Sequence, residues 1–291
     1  MEAITRRRAL GLGGAALAGT AGALAAADSA DAANSADAAS SAEAAAGWQR
    51  LVVITANIGR KNMGQRERAV RDVRHAVTIG GKLTRPLVGW QEIGEGDGSD
   101  NQEPRWINQY FGSAYRNIFE QEGRARRVPM SVPRAYDIVD RRVTFVHGGK
   151  AGVSPHRVIT EAVLARADDP RARFVFANTH YVAGAFNGTQ DPHEAWRGDM
   201  WRQHFRKHRD EVLGYWRARG FPVIWTGDVN RTPMPLLLPN HEKRAFARGI
   251  DQIGWVPGTN GTQLRLRWTK VVPMHVDGHD ARVAVMQIRR V

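Results

Sequence analysis

Short runs of apolar residues, several of them rich in valine and isoleucine, recur along this chain from Trp48 onwards. The first run, 51–56, is continuous, β-branched and too short for an ordinary helix, so it predicts a buried strand. Comparable runs predict further strands at 87–91, 137–146, 156–166, 173–179, 221–226, 249–255 and 281–288. Many strands must therefore be buried together, and the pattern favours two stacked sheets covered by a few helices.

Two segments carry apolar side chains at helical spacing and predict the covering helices. Residues 65–79 place Val70, Val73 and Val77 at this spacing among arginines. Residues 193–219 are expected to form the longest helix, since tryptophan and other apolar residues recur along one broad face. No later segment has about 18 consecutive apolar residues, so no stable membrane insertion is predicted for the processed protein.

The N-terminal segment differs in composition from the rest of the chain. The sequence Thr5-Arg6-Arg7-Arg8-Ala9-Leu10, followed by a weakly apolar stretch to Ala27, resembles a twin-arginine export signal. We therefore expect residues 1–27 to be removed from a secreted protein, the alternative being an uncleaved amphipathic N-terminus. Residues 28–46 are almost all Ala, Ser and Asp, so they predict a disordered linker before a domain at 47–291.

The predicted domain is strongly basic. The whole chain has 42 Lys and Arg against 29 Asp and Glu, a net charge of +13, and residues 1–46 contribute three basic and five acidic side chains. The remainder therefore carries +15, which favours polyanionic partners, either nucleic acid or anionic lipid headgroups. The sequence contains no cysteine, which excludes disulfides and thiolate chemistry.

Polar residues that a core does not require stand at the ends of several predicted strands. A single Asn or Glu in such a place is more often a turn residue. When the ends of several strands meet at one edge of a sheet, however, these residues converge on a single cleft. The residues concerned are Asn57, Glu92, His180, Asp228, Asn230 and His279.

These residues belong to short motifs, and the order of the motifs along the chain is informative. The motifs are Ile54-Thr55-Ala56-Asn57-Ile58, Trp90-Gln91-Glu92, Asn178-Thr179-His180, Gly227-Asp228-Val229-Asn230, Ile250-Asp251-Gln252-Ile253 and Gly278-His279. The set resembles the deoxyribonuclease I-like, or endonuclease/exonuclease/phosphatase, superfamily from Leu51 to the C-terminus. The resemblance implies an α+β fold, a four-layer α/β/β/α sandwich of two mostly antiparallel sheets flanked by helices. It also implies a metal-dependent phosphoester hydrolase.

The resemblance implies a divalent cation held by Glu92, with Asn57 as a further ligand. Because the ligand is a carboxylate and the chain has no cysteine, Mg²⁺ or Mn²⁺ is favoured over Zn²⁺. The superfamily usually has Asp immediately before the last histidine, whereas this chain has Gly278. Asp277 or Asp280 is the candidate for the missing ligand. Without either, the site lacks the second carboxylate of a two-metal scheme.

The resemblance also assigns roles around the phosphate. Asp228 is expected to orient or deprotonate the attacking water. His279 is expected to stabilise charge on the opposite side of the phosphorus, with Asp251 fixing its tautomer. Either His279 or His180 is a candidate acid for the leaving group. The side chains expected to contact the phosphate oxygens are Asn57, His180 and Asn230.

The sequence leaves the substrate open. The leading hypothesis is a monomeric nuclease acting on DNA or RNA, whose backbone could follow the basic residues Arg124, Arg126, Arg127, Arg141 and Arg142. The alternative is a sphingomyelinase-like enzyme acting on choline or anionic phospholipid, or a phosphomonoesterase. A lipid enzyme needs an exposed apolar hairpin, for which Pro235-Leu236-Leu237-Leu238-Pro239 is the candidate. A third hypothesis, an inactive polyanion-binding module, is disfavoured because the main positions keep chemically competent residues.

Overall fold

A computed structural model describes residues 47–59, 63–94, 102–119, 127–186, 192–276 and 278–291. The proposed export signal and linker lie outside these ranges, as do the candidate ligand Asp277 and the basic residues Arg124 and Arg126. The described residues form two six-stranded sheets, a two-stranded hairpin and several helices.

Strands make up most of the domain. In chain order they are β1 (Gln49–Asn57), β2 (Thr78–Ile79), β3 (Lys82–Leu83), β4 (Leu87–Gln91), β5 (Tyr115–Ile118), β6 (Met130–Pro133), β7 (Tyr136–His147), β8 (Arg157–Arg166), β9 (Asp169–His180), β10 (Val223–Asp228), β11 (Lys243–Arg244), β12 (Asp251–Val256), β13 (Thr262–Val276) and β14 (His279–Arg290). The first sheet has the order β13-β14-β1-β4-β6-β5, and the second has the order β11-β12-β10-β9-β8-β7. Neighbouring strands in both sheets are antiparallel except for two pairs, β1 with β4 and β9 with β10, which are parallel.

The helices lie outside the two sheets. They are α1 (Met63–Arg74), α2 (Glu103–Phe111), α3 (Trp196–Lys207) and α4 (Tyr215–Ala218), with a π-helical segment, His208–Gly214, between α3 and α4. The predicted long helix at 193–219 is thus confirmed. The helix predicted at 65–79 instead ends at Arg74, because the chain enters the β2–β3 hairpin, whose turn residues Gly80 and Gly81 both have positive φ. No helix in the described ranges is both long and apolar enough to cross a membrane.

Three apolar layers hold the sheets and helices together. Leu51 and Val53 of β1 point between the sheets, where they join Phe176 of β9 in the central core. Val52 and Ile54 point the other way, into a layer shared with α1 and α2. A third layer lies between the second sheet and the helices from α3 to α4. Because β1 is buried on both faces, its apolar run is continuous instead of alternating. The predicted four-layer α/β/β/α sandwich is confirmed.

Three histidines lie buried in or beside the third layer. His204 Nε2 lies 2.8 Å from the Thr179 hydroxyl oxygen, and the ring stacks on Tyr181 with 3.7 Å between centroids. His208 Nδ1 lies 3.0 Å from the Tyr181 hydroxyl oxygen. Burial, aided by nearby positive charge, lowers the pKa of His147 to about 4 and of His208 to about 3, and lowers the pKa of His204 as well. All three rings are therefore neutral at neutral pH.

We expect acid to destabilise the protein through His204 and His208. In the unfolded chain these histidines bind a proton below a pKa of about 6.5, whereas in the folded protein they stay neutral. The unfolded state then binds more protons, so the free energy of unfolding decreases as the pH falls below about 6.5, by about 1.4 kcal/mol per pH unit for each histidine. Thermal unfolding followed by circular dichroism from about pH 8 to pH 5 measures this slope. His208→Phe should make it shallower, and equal slopes would contradict the prediction.

Candidate active site

The carboxyl ends of the two parallel strand pairs meet at one edge of the sandwich. In the first sheet Asn57 lies opposite Gln91, and in the second His180 lies opposite Asp228. Glu92 directly follows β4. Asn57 Nδ2 donates to Asp228 Oδ2 at 3.0 Å and to Glu92 Oε1 at 3.3 Å. Side chains from the two sheets therefore meet in one group.

A buried polar network ties the sheets together beneath this edge. Asn178 Oδ1 accepts hydrogen bonds from Gln91 Nε2 at 2.6 Å and from the Thr226 hydroxyl at 3.0 Å, while Asn178 Nδ2 donates to the Trp90 carbonyl oxygen at 2.7 Å. Gly89 lies at the point of closest approach, where a Cβ atom would stand 2.0 Å from Thr226 Oγ1 and 2.5 Å from Asn178 Oδ1. A side chain at this position cannot fit unless the sheets move apart.

Asp251 and His279 form a hydrogen-bonded pair at the starts of β12 and β14. The distance from His279 Nδ1 to Asp251 Oδ2 is 2.9 Å. Burial acts to lower the pKa of His279, but the hydrogen bond and charge of Asp251, with the charges of Asp228 and Glu92, outweigh it and raise the pKa to about 9. Burial raises the pKa of Asp251 to about 6, against the opposing effect of His279. At neutral pH the pair is therefore an imidazolium with a carboxylate.

Asp228 is buried at the centre of the group. Its Oδ1 accepts a hydrogen bond from the Asn230 backbone N–H at 2.8 Å, and its Oδ2 lies 3.4 Å from His180 Nε2. Burial acts to raise the pKa of Asp228, but the hydrogen bond and charge of His180, the charge of His279 and the Asn230 N–H prevail, so the pKa is lowered. Asn230 has a left-handed backbone, φ 48°, and its side chain donates to the Tyr181 carbonyl oxygen at 3.2 Å. The buried carboxylate is thus anionic and held at both oxygens.

The group opens into a cleft of about 510 Å³ that Glu92, His180 and His279 line. Arg157 and Arg197 also line it, and the sequence did not single out either residue. Arg157 is the first residue of β8, so the strand-end argument would have found it if it had been applied to the starts of strands as well. Arg197 stands in the first turn of α3 among several other arginines, and nothing in the sequence distinguishes it.

Most of the predicted site residues come together, and a few do not. The residues that the structure places in one group are Asn57, Glu92, His180, Asp228, Asn230, Asp251 and His279. Asp277 lies outside the described residues, and the side chain of Asp280 is exposed beside His279. Arg141 and Arg142 lie on β7 and do not line the cleft.

Two arrangements of groups could hold a cation. Among the described residues, one cluster offers three ligand atoms within 4.8 Å of one another: Asp228, Asp251 and His279. In this cluster the hydrogen bond between His279 Nδ1 and Asp251 Oδ2 already uses one nitrogen and one oxygen, which leaves His279 Nε2 and the other carboxylate oxygens as the possible ligand atoms. Glu92 offers a partly exposed carboxylate at the cleft. The Asp228–Asp251–His279 cluster and Glu92 are therefore the two candidate positions for a cation.

Asn57 presents a donor to the site. Its Oδ1 accepts a hydrogen bond from the Gly59 backbone N–H at 3.0 Å, so the amide nitrogen faces Glu92 and Asp228. An amide nitrogen cannot ligate a hard cation, but it can donate to a phosphate oxygen. This arrangement favours the phosphate-binding role of Asn57 over its role as a metal ligand.

Comparison with protein-family models and with curated proteins found no match. Several solved structures share the fold. An endonuclease/exonuclease/phosphatase family protein from Bacteroides thetaiotaomicron aligns with 84% of this chain and 99% of its own length, at a TM-score of 0.61 and 13% identity. A mannosyl-6-phosphatase from the same organism aligns with 83% of this chain and 99% of its own length (TM-score 0.56, 12% identity). TDP2 from D. rerio, complexed with a single-strand DNA product, aligns with 82% of this chain and 99% of its own length (TM-score 0.55, 11% identity). The chain thus has the fold of the endonuclease/exonuclease/phosphatase proteins.

We expect Asp251→Asn to lower the pKa of His279 from about 9, because the hydrogen bond and charge of Asp251 are the largest effects that raise it. The loss of the carboxylate leaves burial as the main effect, and burial disfavours the charged ring. NMR titration of the imidazole resonances in metal-free protein measures the change. Asp280→Asn removes an exposed carboxylate next to His279 and serves as the control. An unchanged pKa in Asp251→Asn would show that Asp251 does not hold the ring charged.

Proposed function

We propose that this protein is an exported, divalent-metal-dependent phosphodiesterase that acts on nucleic acid. The observation that carries the proposal is the meeting of Glu92, Asp228 and the Asp251–His279 pair in one group, of which Glu92 and His279 reach the cleft. The fold supports phosphoester chemistry, because structural neighbours include a mannosyl-6-phosphatase and TDP2 with a DNA product. Export rests on the N-terminal sequence alone, and N-terminal sequencing of protein from the growth medium tests it.

Glu92 is the residue that would hold the cation, which we take to be Mg²⁺ or Mn²⁺. Its carboxylate reaches the cleft, and oxygen donors suit a hard cation that keeps several of its waters. When bound, the cation supplies positive charge that polarises the phosphoryl oxygens and stabilises the leaving oxygen. Of the three carboxylates that converge here, Asp228 lies beside His180 and Asp251 is paired with His279, and Gly278 stands where the superfamily has a further carboxylate before the last histidine. We therefore propose a single metal ion.

Asp228 is the residue best placed to accept a proton from the attacking water. Its lowered pKa keeps it anionic, and the Asn230 N–H and Asn57 Nδ2 fix its two oxygens. His180 stands beside it with an N–H group that can donate to a phosphate oxygen, and Asn57 Nδ2 can donate to one with the hydrogen that otherwise reaches Glu92 at 3.3 Å. The general base and the phosphate donors are thus positioned before substrate binds.

His279 supplies positive charge at the cleft. Asp251 holds its Nδ1–H, which leaves the Nε2–H to donate to the phosphate or to give its proton to the leaving oxygen. A general acid or base of this kind contributes about 10²- to 10⁴-fold in rate. Asp251 acts through His279 and does not contact the substrate.

Charge favours a nucleic acid substrate. Arg157 and Arg197 line the cleft, and Arg197 is held by two hydrogen bonds of 2.7 Å to Glu194. Residues 47–291 carry a net positive charge, which attracts a phosphate polymer more strongly than it attracts a small phosphomonoester.

The lipid alternative depends on residues 235–239 as an exposed apolar hairpin, but leucines of this segment pack against the domain. Leu237 is buried in the core of the second sheet, and Leu238 packs against the same core. The backbone N–H groups of both residues donate to the Glu242 carboxylate, which fixes the segment against the domain. Residues 235–239 therefore do not form the exposed apolar hairpin that a lipid-acting enzyme would need.

We expect Glu92→Gln to lose at least about 100-fold in activity, because the amide no longer supplies the charge that holds the cation. Hydrolysis of bis(p-nitrophenyl) phosphate measures the loss, and EDTA should abolish the wild-type activity until Mg²⁺ or Mn²⁺ is restored. Glu211→Gln makes the same chemical change on the helical surface and should behave as wild type. Full activity of Glu92→Gln, or activity that resists EDTA, would disprove the metal assignment.

We expect the Michaelis constant for single-stranded oligonucleotides to rise steeply with salt, by about 0.7 log units per log unit of salt for each phosphate contacted. Arg157→Gln should raise that constant and make the salt dependence shallower, with a smaller effect on bis(p-nitrophenyl) phosphate, which offers a single phosphate. Arg171→Gln changes an arginine whose side chain is 83% exposed and is the matched control. If sphingomyelin or a phosphomonoester is hydrolysed much faster than any nucleic acid, the substrate assignment is wrong.

A further inference from the structure

Glu92 has an unusual backbone conformation for its residue type. Its φ is 61°, in the left-handed region that residues with a side chain seldom adopt. This turn at the end of β4 directs the carboxylate towards Asn57 Nδ2, at 3.3 Å, and His180 Nε2, at 3.9 Å. Surrounding contacts must hold a conformation of this kind in place. The placement of the proposed metal ligand therefore depends on whatever fixes its backbone.

A buried arginine provides such a contact. Arg66 on α1 is fully buried, and its Nη2 donates a hydrogen bond to the Glu92 backbone carbonyl oxygen. Its Nη1 lies 2.6 Å from Oε1 of Glu103, the first residue of α2, which is also fully buried. One guanidinium thus joins two helices and the turn that carries Glu92.

A contribution to stability does not by itself explain the buried Arg66–Glu103 ion pair. Burying two charges costs desolvation energy that their attraction only partly offsets, and apolar residues of similar volume often stabilise a fold as well or better. A planar guanidinium, in contrast, can bind a carboxylate and a carbonyl oxygen at once in a fixed geometry. The Arg66–Glu103 pair is therefore better suited to orienting the Glu92 turn than to stabilising the core.

We propose that Arg66 and Glu103 are positioning residues, which hold the Glu92 turn and so set the affinity of the site for its divalent cation. The inference rests on the proposed role of Glu92 as metal ligand. Groups that orient a metal ligand commonly change metal affinity or activity by about 10- to 100-fold when they are removed. Neither Arg66 nor Glu103 touches the substrate, so the effect is expected on metal binding more than on the chemical step.

Isothermal titration of the metal-free, full-length protein with Mn²⁺ tests the proposal. Arg66→Met should weaken Mn²⁺ binding about 10- to 100-fold, and Arg66→Lys should weaken it less, because the ammonium can keep one of the two contacts. Glu103→Gln should also weaken binding, since the guanidinium loses its charged anchor. At saturating Mn²⁺, kcat for bis(p-nitrophenyl) phosphate should recover to within about threefold of wild type.

Arg74→Met is the matched control. Arg74 lies on the same helix and also donates to a backbone carbonyl, that of Thr84 at 3.2 Å, but it does not contact Glu92. Its replacement should leave Mn²⁺ affinity within about twofold of wild type even if the melting temperature falls.

Two results would overturn the inference, and they have different meanings. If wild type binds Mn²⁺ and the folded Arg66 and Glu103 variants bind it equally well, the positioning role is wrong while the metal site stands. Should Arg66→Met fail to fold, Arg66→Lys and Glu103→Gln decide the question in the same way. If wild type itself binds no Mn²⁺, both the inference and the proposed metal-dependent function fail.

Discussion

The hydrogen bonds of Asn178 join the two halves of this molecule. Its side chain stands on the second sheet and binds Gln91 and the Trp90 carbonyl of the first. These contacts lie one or two residues before Glu92 and His180, the residues that reach the cleft. A buried amide that forms its hydrogen bonds holds its partners in a fixed geometry. A buried donor or acceptor left without a partner destabilises the fold by about 1–3 kcal/mol. The relative position of the strand ends therefore depends on this link.

Charge balance is the second requirement of the site. Three carboxylates and two histidines converge, and two of the carboxylates, Asp228 and Asp251, are buried. The cationic ring of His279 and the donors around Asp228 keep both carboxylates ionised at neutral pH, despite burial. Positive charge and N–H donors therefore face the cleft, an arrangement that suits the proposed phosphoester hydrolysis, in which negative charge increases.

The sequence predicted the parts of this fold in which local pattern and burial agree. Strands such as β1 have continuous apolar runs because both faces are covered, and the candidate site residues stand out because they lie at the ends of such runs. Strand β13 escaped prediction because it is an exposed edge strand, and two bulges interrupt its alternation. Helix α2 has only nine residues, too few turns for Ile107 and Phe111 to show a clear period. Arg66 is one arginine among several on α1, and only tertiary contacts distinguish it.

The close approach at Gly89 has a consequence for how this site can vary. Half of the candidate site belongs to one sheet and half to the other, so contacts across it, such as the hydrogen bond from Asn57 to Asp228, depend on the separation of the sheets at that edge. That separation follows from the volumes of side chains such as Leu51 and Phe176 in the central core. Substitutions in the central core can therefore change the distances between candidate site residues on the two sheets. The composition of the core and the geometry of the candidate site are then expected to vary together.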